Sequence, residues 1–157
     1  MRIGQGIDVH AFSDDPEREL WLGLVRVPEG PGLVGHSDAD AATHALCDAL
    51  LGAANLGDLG RHFPDTETIY YGVSSRRLLE ATVALVRAEG LKIESADVTI
   101  MAERPKLAAY MPEMSQELST IAGATVSVKA TSFEGLGALG RGEGIAASAV
   151  ALLSSDA

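Results

Sequence analysis

Residues 37–57 read SDADAATHALCDALLGAANLG. This run of Ala and Leu is rich in strong helix formers. Ala42, Leu46, Ala49, Leu50 and Ala53 recur at spacings of three and four, which predicts a helix with an apolar face. Ser37 is placed to cap it, and Asp38 and Asp40 suit a first turn, where free N–H groups favour an acid. Gly57 is a natural stop. Asp40, His44 and Asp48 fall on one stripe opposite the apolar face. A chain with such a helix has to supply an apolar surface to cover it.

Strands supply that surface. Arg2 to Phe12 reads as a glycine-rich strand, and LWLGLVRVP as a second strand or hairpin arm. PEGPGLVGHS is a loop, and DLGRHFPDTETIYYG is a polar loop too long for a plain connector. A second helix is predicted from Ser74 to Glu89, ended by Gly90. IESADVTIMAE follows as a strand. A third helix has Pro112 near its start and ends at Gly123. ATVSVKATS, a glycine-rich loop FEGLGALGRGEG and a last strand IAASAVALLSS complete the chain. The order β-β-α-α-β-α-β-β predicts an α/β (α+β) fold, a single-layer mixed sheet with helices on one face. At 157 residues the expectation is one domain, 1–157, with a core of its own. Aromatics are only 4% of residues, so that core is built from small and aliphatic side chains.

Charge narrows the partners. The chain carries 22 acidic residues against 12 Lys and Arg, a formal charge of −10. That argues against nucleic acid and against an anionic membrane surface. An anionic small substrate would need metals, backbone N–H groups or placed cations to offset the repulsion. Cys47 is the one cysteine, so an internal disulfide is impossible. The segment MRIGQGIDVH lacks the apolar core of a signal peptide and no stretch is long enough to span a bilayer, so a cytoplasmic location is expected.

The first strand carries Asp8 and His10 two residues apart, so both point to one face and Val9 to the other. Such a pair suits a divalent metal, a proton relay or a plain surface pair. Catalytic zinc takes three protein ligands and an open position. Asp8, His10 and His44 provide that set if the first helix packs on the first strand, with Asp40 or Asp48 holding the other ring nitrogen of His44. GHSDAD places His36 and Ser37 at a helix start, a place that suits phosphate, although the acids beside them favour a metal over a bare anion. Lys106, Lys129 and Arg141 are further candidates for anion contact, and Lys129 is equally an outward strand residue. Cys47 reads as a small packed residue. No P-loop and no G-x-S-x-G elbow is present.

Taken in order, RIGQGIDVHAF, GHSDADAATHALCDALLGAANLGDLGRHFPDTE, DVTIMAERPKL and VKATSFEGLGALGRGEGIA resemble the 2-C-methyl-D-erythritol 2,4-cyclodiphosphate synthase family. The resemblance runs from Arg2 to about Leu153. It implies a lyase of the non-mevalonate isoprenoid pathway. In that reaction the 2-phosphate of 4-diphosphocytidyl-2-C-methyl-D-erythritol 2-phosphate attacks the β-phosphorus, and CMP leaves. It implies a homotrimer with active sites at subunit interfaces. It implies one Zn²⁺ per site on Asp8, His10 and His44, with Mg²⁺ or Mn²⁺ on the substrate diphosphate held through Glu134. His36 and Ser132 take catalytic roles by the same implication.

Contacts to the reacting phosphate and the methylerythritol portion are implied for Asp8, Val9, His10, His36, Ser37, Asp58, Leu59, Gly60, Phe63, Pro64, Asp65, Thr66 and Glu67. Contacts to the cytidine diphosphate are implied for Ala102, Glu103, Arg104, Pro105, Lys106, Leu107 and Ala108, and for Thr131, Ser132, Phe133 and Glu134. Arg141 and Glu143 match a pair at a cavity on the threefold axis able to hold an isoprenoid diphosphate. Ser132 stands where the family commonly has threonine, and the hydroxyl is kept. Phe133 and Gly135 replace polar and basic residues, and Ala138 a bulkier one near ligand. The alternative weighed beside this is a metal-dependent phosphohydrolase on a related diphosphate, in which water attacks instead.

Overall fold

The computed structural model describes residues 1–155. Strand β1 (Arg2–Ala11) leads into a small hairpin, β2 (Trp21–Leu22) and β3 (Val25–Arg26). Then come α1 (Ala41–Ala54), α2 (Leu59–His62), a 3₁₀ turn (Thr68–Tyr70), α3 (Ser75–Ala88) and β4 (Leu91–Met101). The chain continues through α4 (Met111–Ala122), β5 (Thr125–Thr131), α5 (Gly137–Gly140) and β6 (Gly144–Ser155). Four strands form one mixed sheet in the order β1-β6-β4-β5; only β4 and β5 run parallel. Helices α1, α3 and α4 cover one face. Among the described residues no helix is long and apolar enough to cross a membrane.

The two faces of the sheet differ because the strands alternate. On β6, Ile145, Ala147, Ala149, Ala151 and Leu153 are buried toward the helices. On the other face Ile3, Ile7, Val9 and Val150 stand in solvent. Helix α1 lies almost backbone to backbone on β1. A Cβ on Gly4 would sit 2.0 Å from the carbonyl oxygen of Ala49, and one on Gly6 2.0 Å from that of Ala45. The alanines of β6 continue this low floor. A protein with few aromatics fills its core by bringing backbones together.

Several elements depart from the sequence expectation. Helix α1 has no polar outer face, since α3 packs against its far side; all its residues but His44, Asp48 and Gly52 are buried. Its N-cap is Asp40, not Ser37: the Asp40 carboxylate accepts the N–H of Thr43 (3.0 Å) and those of Gly23 and Leu24 in the hairpin turn (2.8 Å each). Asp38 therefore precedes the helix. The C-cap is Asn55 in the left-handed region (φ 62°), two residues before Gly57, because Asn tolerates that conformation. LWLGLVRVP forms the separate hairpin and stays outside the main sheet. The polar loop holds α2 and the 3₁₀ turn, and the glycine-rich loop holds α5. The predicted ends of α3 and α4 agree with the structure, including Gly123 as the left-handed cap of α4 (φ 70°).

Gly6→Ala is expected to cost about 3 kcal/mol or more, the upper range for overpacking, because the new methyl meets helix backbone and not a movable side chain. Urea unfolding measures this, and a loss below about 1 kcal/mol would mean that α1 can back away from β1.

Candidate active site

Asp8 and His10 project from β1 toward the helices, and His44 comes down from α1 to meet them. Nε2 of His10 lies 2.7 Å from Oδ2 of Asp8, and Nδ1 of His44 lies 3.1 Å from the same oxygen. One ligand atom from each of the three residues lies within 4.8 Å of the others. One carboxylate oxygen and two imidazole nitrogens, partly buried and open on one side, are a donor set that fits zinc. The Nδ1–H of His10 donates to the carbonyl of Val34 (2.7 Å), which leaves Nε2 as its ligating nitrogen.

The charges answer to this geometry. Burial works against ionising Asp8, but the hydrogen bonds and charges of His10 and His44 outweigh it and hold its carboxyl well below the usual range. Burial works against charging His10, yet Asp8 and the Val34 carbonyl raise its pKa above the ordinary value, while Arg18 pulls the other way. Asp48 is raised by burial and by the neighbouring Asp58 and Asp8, although the N–H of Leu59 opposes this. Cys47 is buried and its thiol is pushed far up, which suits the packing role and not a nucleophile.

The expectation that Asp40 or Asp48 holds the other ring nitrogen of His44 needs correction. Asp40 is fully buried and occupied by the helix cap and the hairpin turn. Asp48 accepts the N–H of Leu59 (2.8 Å). Nε2 of His44 instead faces the hydroxyls of Ser75 (3.0 Å) and Ser37 (3.2 Å).

A cavity of about 500 Å³ opens at the three-residue cluster. His36, Ser37, Leu59, Gly60, Phe63, Pro64 and Asp65, for which the resemblance implies substrate contacts, line it. Asp58, Thr66 and Glu67 do not line it; Asp58 caps α2 by accepting the N–H of Arg61 (3.0 Å). Val9 points to the open face of the sheet. Sequence reasoning missed Gly35, Tyr70, Val73 and Leu78 in the wall. It also missed Arg18, whose guanidinium donates to the carbonyls of Leu33, Gly35 (2.9 Å) and Ser37 (2.7 Å) and so clamps the loop that carries His36. An arginine in a charged turn gives no local sign of this.

A second cavity, about 300 Å³, is lined by Ala102, Glu103, Pro105, Lys106, Leu107 and Ala108 on one side and Thr131 and Ser132 on the other. Arg104 lies outside it, stacked over Phe12 at 4.6 Å. Glu103 accepts the N–H of Phe133 (2.7 Å), and Glu134 accepts the hydroxyl of Ser132 (3.0 Å) from a left-handed backbone (φ 52°). Ala138 belongs to α5, and Arg141 pairs with Glu143 (2.7 Å), away from both cavities. Lys129 points outward and pairs with Asp97. Within one chain the two cavities flank opposite edges of the sheet. Asp8 pairs with Ala147, Ala147 with Ile100, and Ile100 with Ala130, so they share one row across three strand spacings, about 14 Å.

The profile of the YgbB family matches residues 1–154. A protein of Syntrophobacter fumaroxidans named 2-C-methyl-D-erythritol 2,4-cyclodiphosphate synthase is 52% identical, the alignment covering 99% of each chain. A solved synthase structure described as the CDP-bound form is 36% identical with a TM-score of 0.87, covering 98% of this chain and 100% of that one. The IspF–CDP complex of Plasmodium falciparum is 29% identical with a TM-score of 0.85, covering 99% and 97%.

Without metal, Asp8 and His10 are an ion pair with a definite pH signature. The lowered pKa of Asp8 adds stability that is present above its ordinary 3.8 and lost as pH falls through the folded value. The raised pKa of His10 adds stability that is full below 6.5 and lost as pH rises through its folded value. In chelator, urea unfolding is therefore expected to show this contribution between pH 3.8 and 6.5 and its decline at higher pH. His10→Ala removes that decline; identical profiles for the two proteins would rule the pair out as a source of stability.

Proposed function

The chain belongs to the YgbB family, and on that premise we propose that it is an enzyme closing 4-diphosphocytidyl-2-C-methyl-D-erythritol 2-phosphate into 2-C-methyl-D-erythritol 2,4-cyclodiphosphate, with release of CMP. The observation that carries this is the cluster of Asp8, His10 and His44 at the floor of a cavity whose rim is His36 and Ser37. A phosphate attacking a diphosphate is anion meeting anion, in a protein that is itself acidic. A zinc ion on Asp8, His10 and His44, with Mg²⁺ or Mn²⁺ held through Glu134, would supply Lewis acidity and neutralise the phosphates.

The chain's own groups do the positioning. His36 and the Ser37 hydroxyl donate toward oxygens of the reacting phosphate. Leu59, Phe63 and Pro64 wall the methylerythritol portion. Lys106 and the segment around it receive the cytidine diphosphate. The Ser132 hydroxyl, which donates to Glu134 in the free chain, would turn to an oxygen on the phosphorus being transferred once Glu134 holds a cation. An oxygen of the 2-phosphate forms the new bond to the β-phosphorus. The bond from the β-phosphorus to the bridging oxygen breaks, and its electron pair leaves with CMP. The attacking phosphate is already ionised near neutral pH, so no strong base is needed. Holding both phosphates in line contributes about 7–11 kcal/mol.

One substrate has to meet both cavities, which lie about 14 Å apart along a row of one sheet. A second copy of the chain, setting its β5 edge beside the β1 edge of the first, brings them together. We therefore propose a homotrimer with shared sites, which also covers Ile3, Ile7 and Val9 on the open face.

Incubation with the substrate and Mg²⁺, followed by phosphorus NMR, is expected to yield CMP and the cyclic diphosphate, and a chelator is expected to stop it. Inorganic phosphate as the product would overturn the assignment. Ser132→Ala is expected to lower kcat by about 10-fold or more, the scale of one charge-assisted hydrogen bond, while KM changes little. An unchanged kcat would remove Ser132 from the reaction.

A further inference from the structure

The hydrogens behind His44 can be counted. Ser75 opens α3 and is fully buried. Its backbone N–H donates to Oδ2 of Asp38 (2.8 Å), and its hydroxyl donates to Oδ1 of the same carboxylate. The N–H of Asp40 also points at Oδ1 of Asp38 (3.3 Å). Asp38, reaching across 37 residues, thus receives donors only.

A serine hydroxyl has one hydrogen, and a carboxylate only accepts. Ser75 has spent its hydrogen on Asp38, so toward Nε2 of His44, 3.0 Å away, it can only accept. Nε2 must then carry a hydrogen, so Nδ1, 3.1 Å from Oδ2 of Asp8, is the nitrogen that can give up its own hydrogen and turn a lone pair to a cation. We propose that Asp38 and Ser75 are positioning residues, a relay that fixes the ring of His44 so that Nδ1 is the nitrogen offered to a divalent cation. This rests on the assignment of Asp8, His10 and His44 as metal ligands.

The relay also sets the state of Ser37. Its Oγ accepts the N–H of Ala39 (3.2 Å) and lies 3.2 Å from Nε2 of His44. Because Nε2 is a donor, it makes no claim on the Ser37 hydrogen. That hydrogen is free to point into the cavity, where an oxygen of an anionic substrate can take it.

The test uses the ¹⁵N-labelled protein loaded with zinc ion alone, with affinity measured by chelator competition. In the wild type, zinc is expected on Nδ1 of His44, with an Nε2–H signal sheltered from exchange. In Ser75→Ala that signal is expected to broaden into solvent exchange and zinc affinity to fall about 10- to 100-fold. Asp38→Asn turns one acceptor of the relay into a donor, and the same two losses are expected. It decides the matter if backbone amide spectra show that Ser75→Ala does not fold. Zinc on Nε2 in the wild type overturns the relay, as do variants that keep both the signal and the affinity; the metal assignment then stands. Failure of the wild type to hold zinc at Asp8, His10 and His44 overturns both.

Discussion

Everything at the site depends on how near α1 comes to β1. Gly4 and Gly6 leave no side chain between strand and helix, so the carbonyls of Ala45 and Ala49 rest where a Cβ would otherwise be. That approach brings Nδ1 of His44 to within 3.1 Å of Asp8. A larger residue at either glycine would lift the helix and open the cluster. Asp8, His10 and His44 are thus held by main-chain packing, the stiffest part of a fold, and such preorganisation is what the proposed metal site would need.

The meeting of Asp8, His10 and His44 was legible because it follows from two periodicities, while their reading as metal ligands came from the family resemblance. Residues two apart on a strand share a face, and His44 stands on the stripe of α1 that keeps some exposure. The ends of α3 and α4 were legible through local caps. Other features were hidden because their partners are far away in sequence. The same wheel that placed His44 put Asp40 and Asp48 beside it, yet Asp40 serves a hairpin turn 17 residues upstream and Asp48 the start of α2. Ser75, which does face His44, lies 31 residues downstream in another helix. The sequence shows β1 as glycine-rich but not that Gly4 and Gly6 give clearance for α1. The separation of the two cavities depends on strand order, which periodicity does not encode.

The charge balance is consistent with the chemistry. A chain at −10 repels a substrate rich in phosphate. Few cations are spent on the cavity walls, with Lys106 the basic residue of the second one. Arg18 turns inward to bind carbonyls, and Arg76, Lys129 and Arg141 are paired with acids. What attraction the site has must come from directed N–H and O–H groups and, on the proposed function, from cations held at Asp8, His10 and His44.

The row that joins Asp8 to Ala130 across the sheet has a consequence for heredity. If each working site takes one edge from one copy and the opposite edge from its neighbour, damage at the two edges is separable. A copy spoiled at Asp8 still offers a sound β5 edge, and a copy spoiled at Ser132 a sound β1 edge. Mixed together, two inactive alleles would rebuild some intact sites, although an assembly of either one alone would have none.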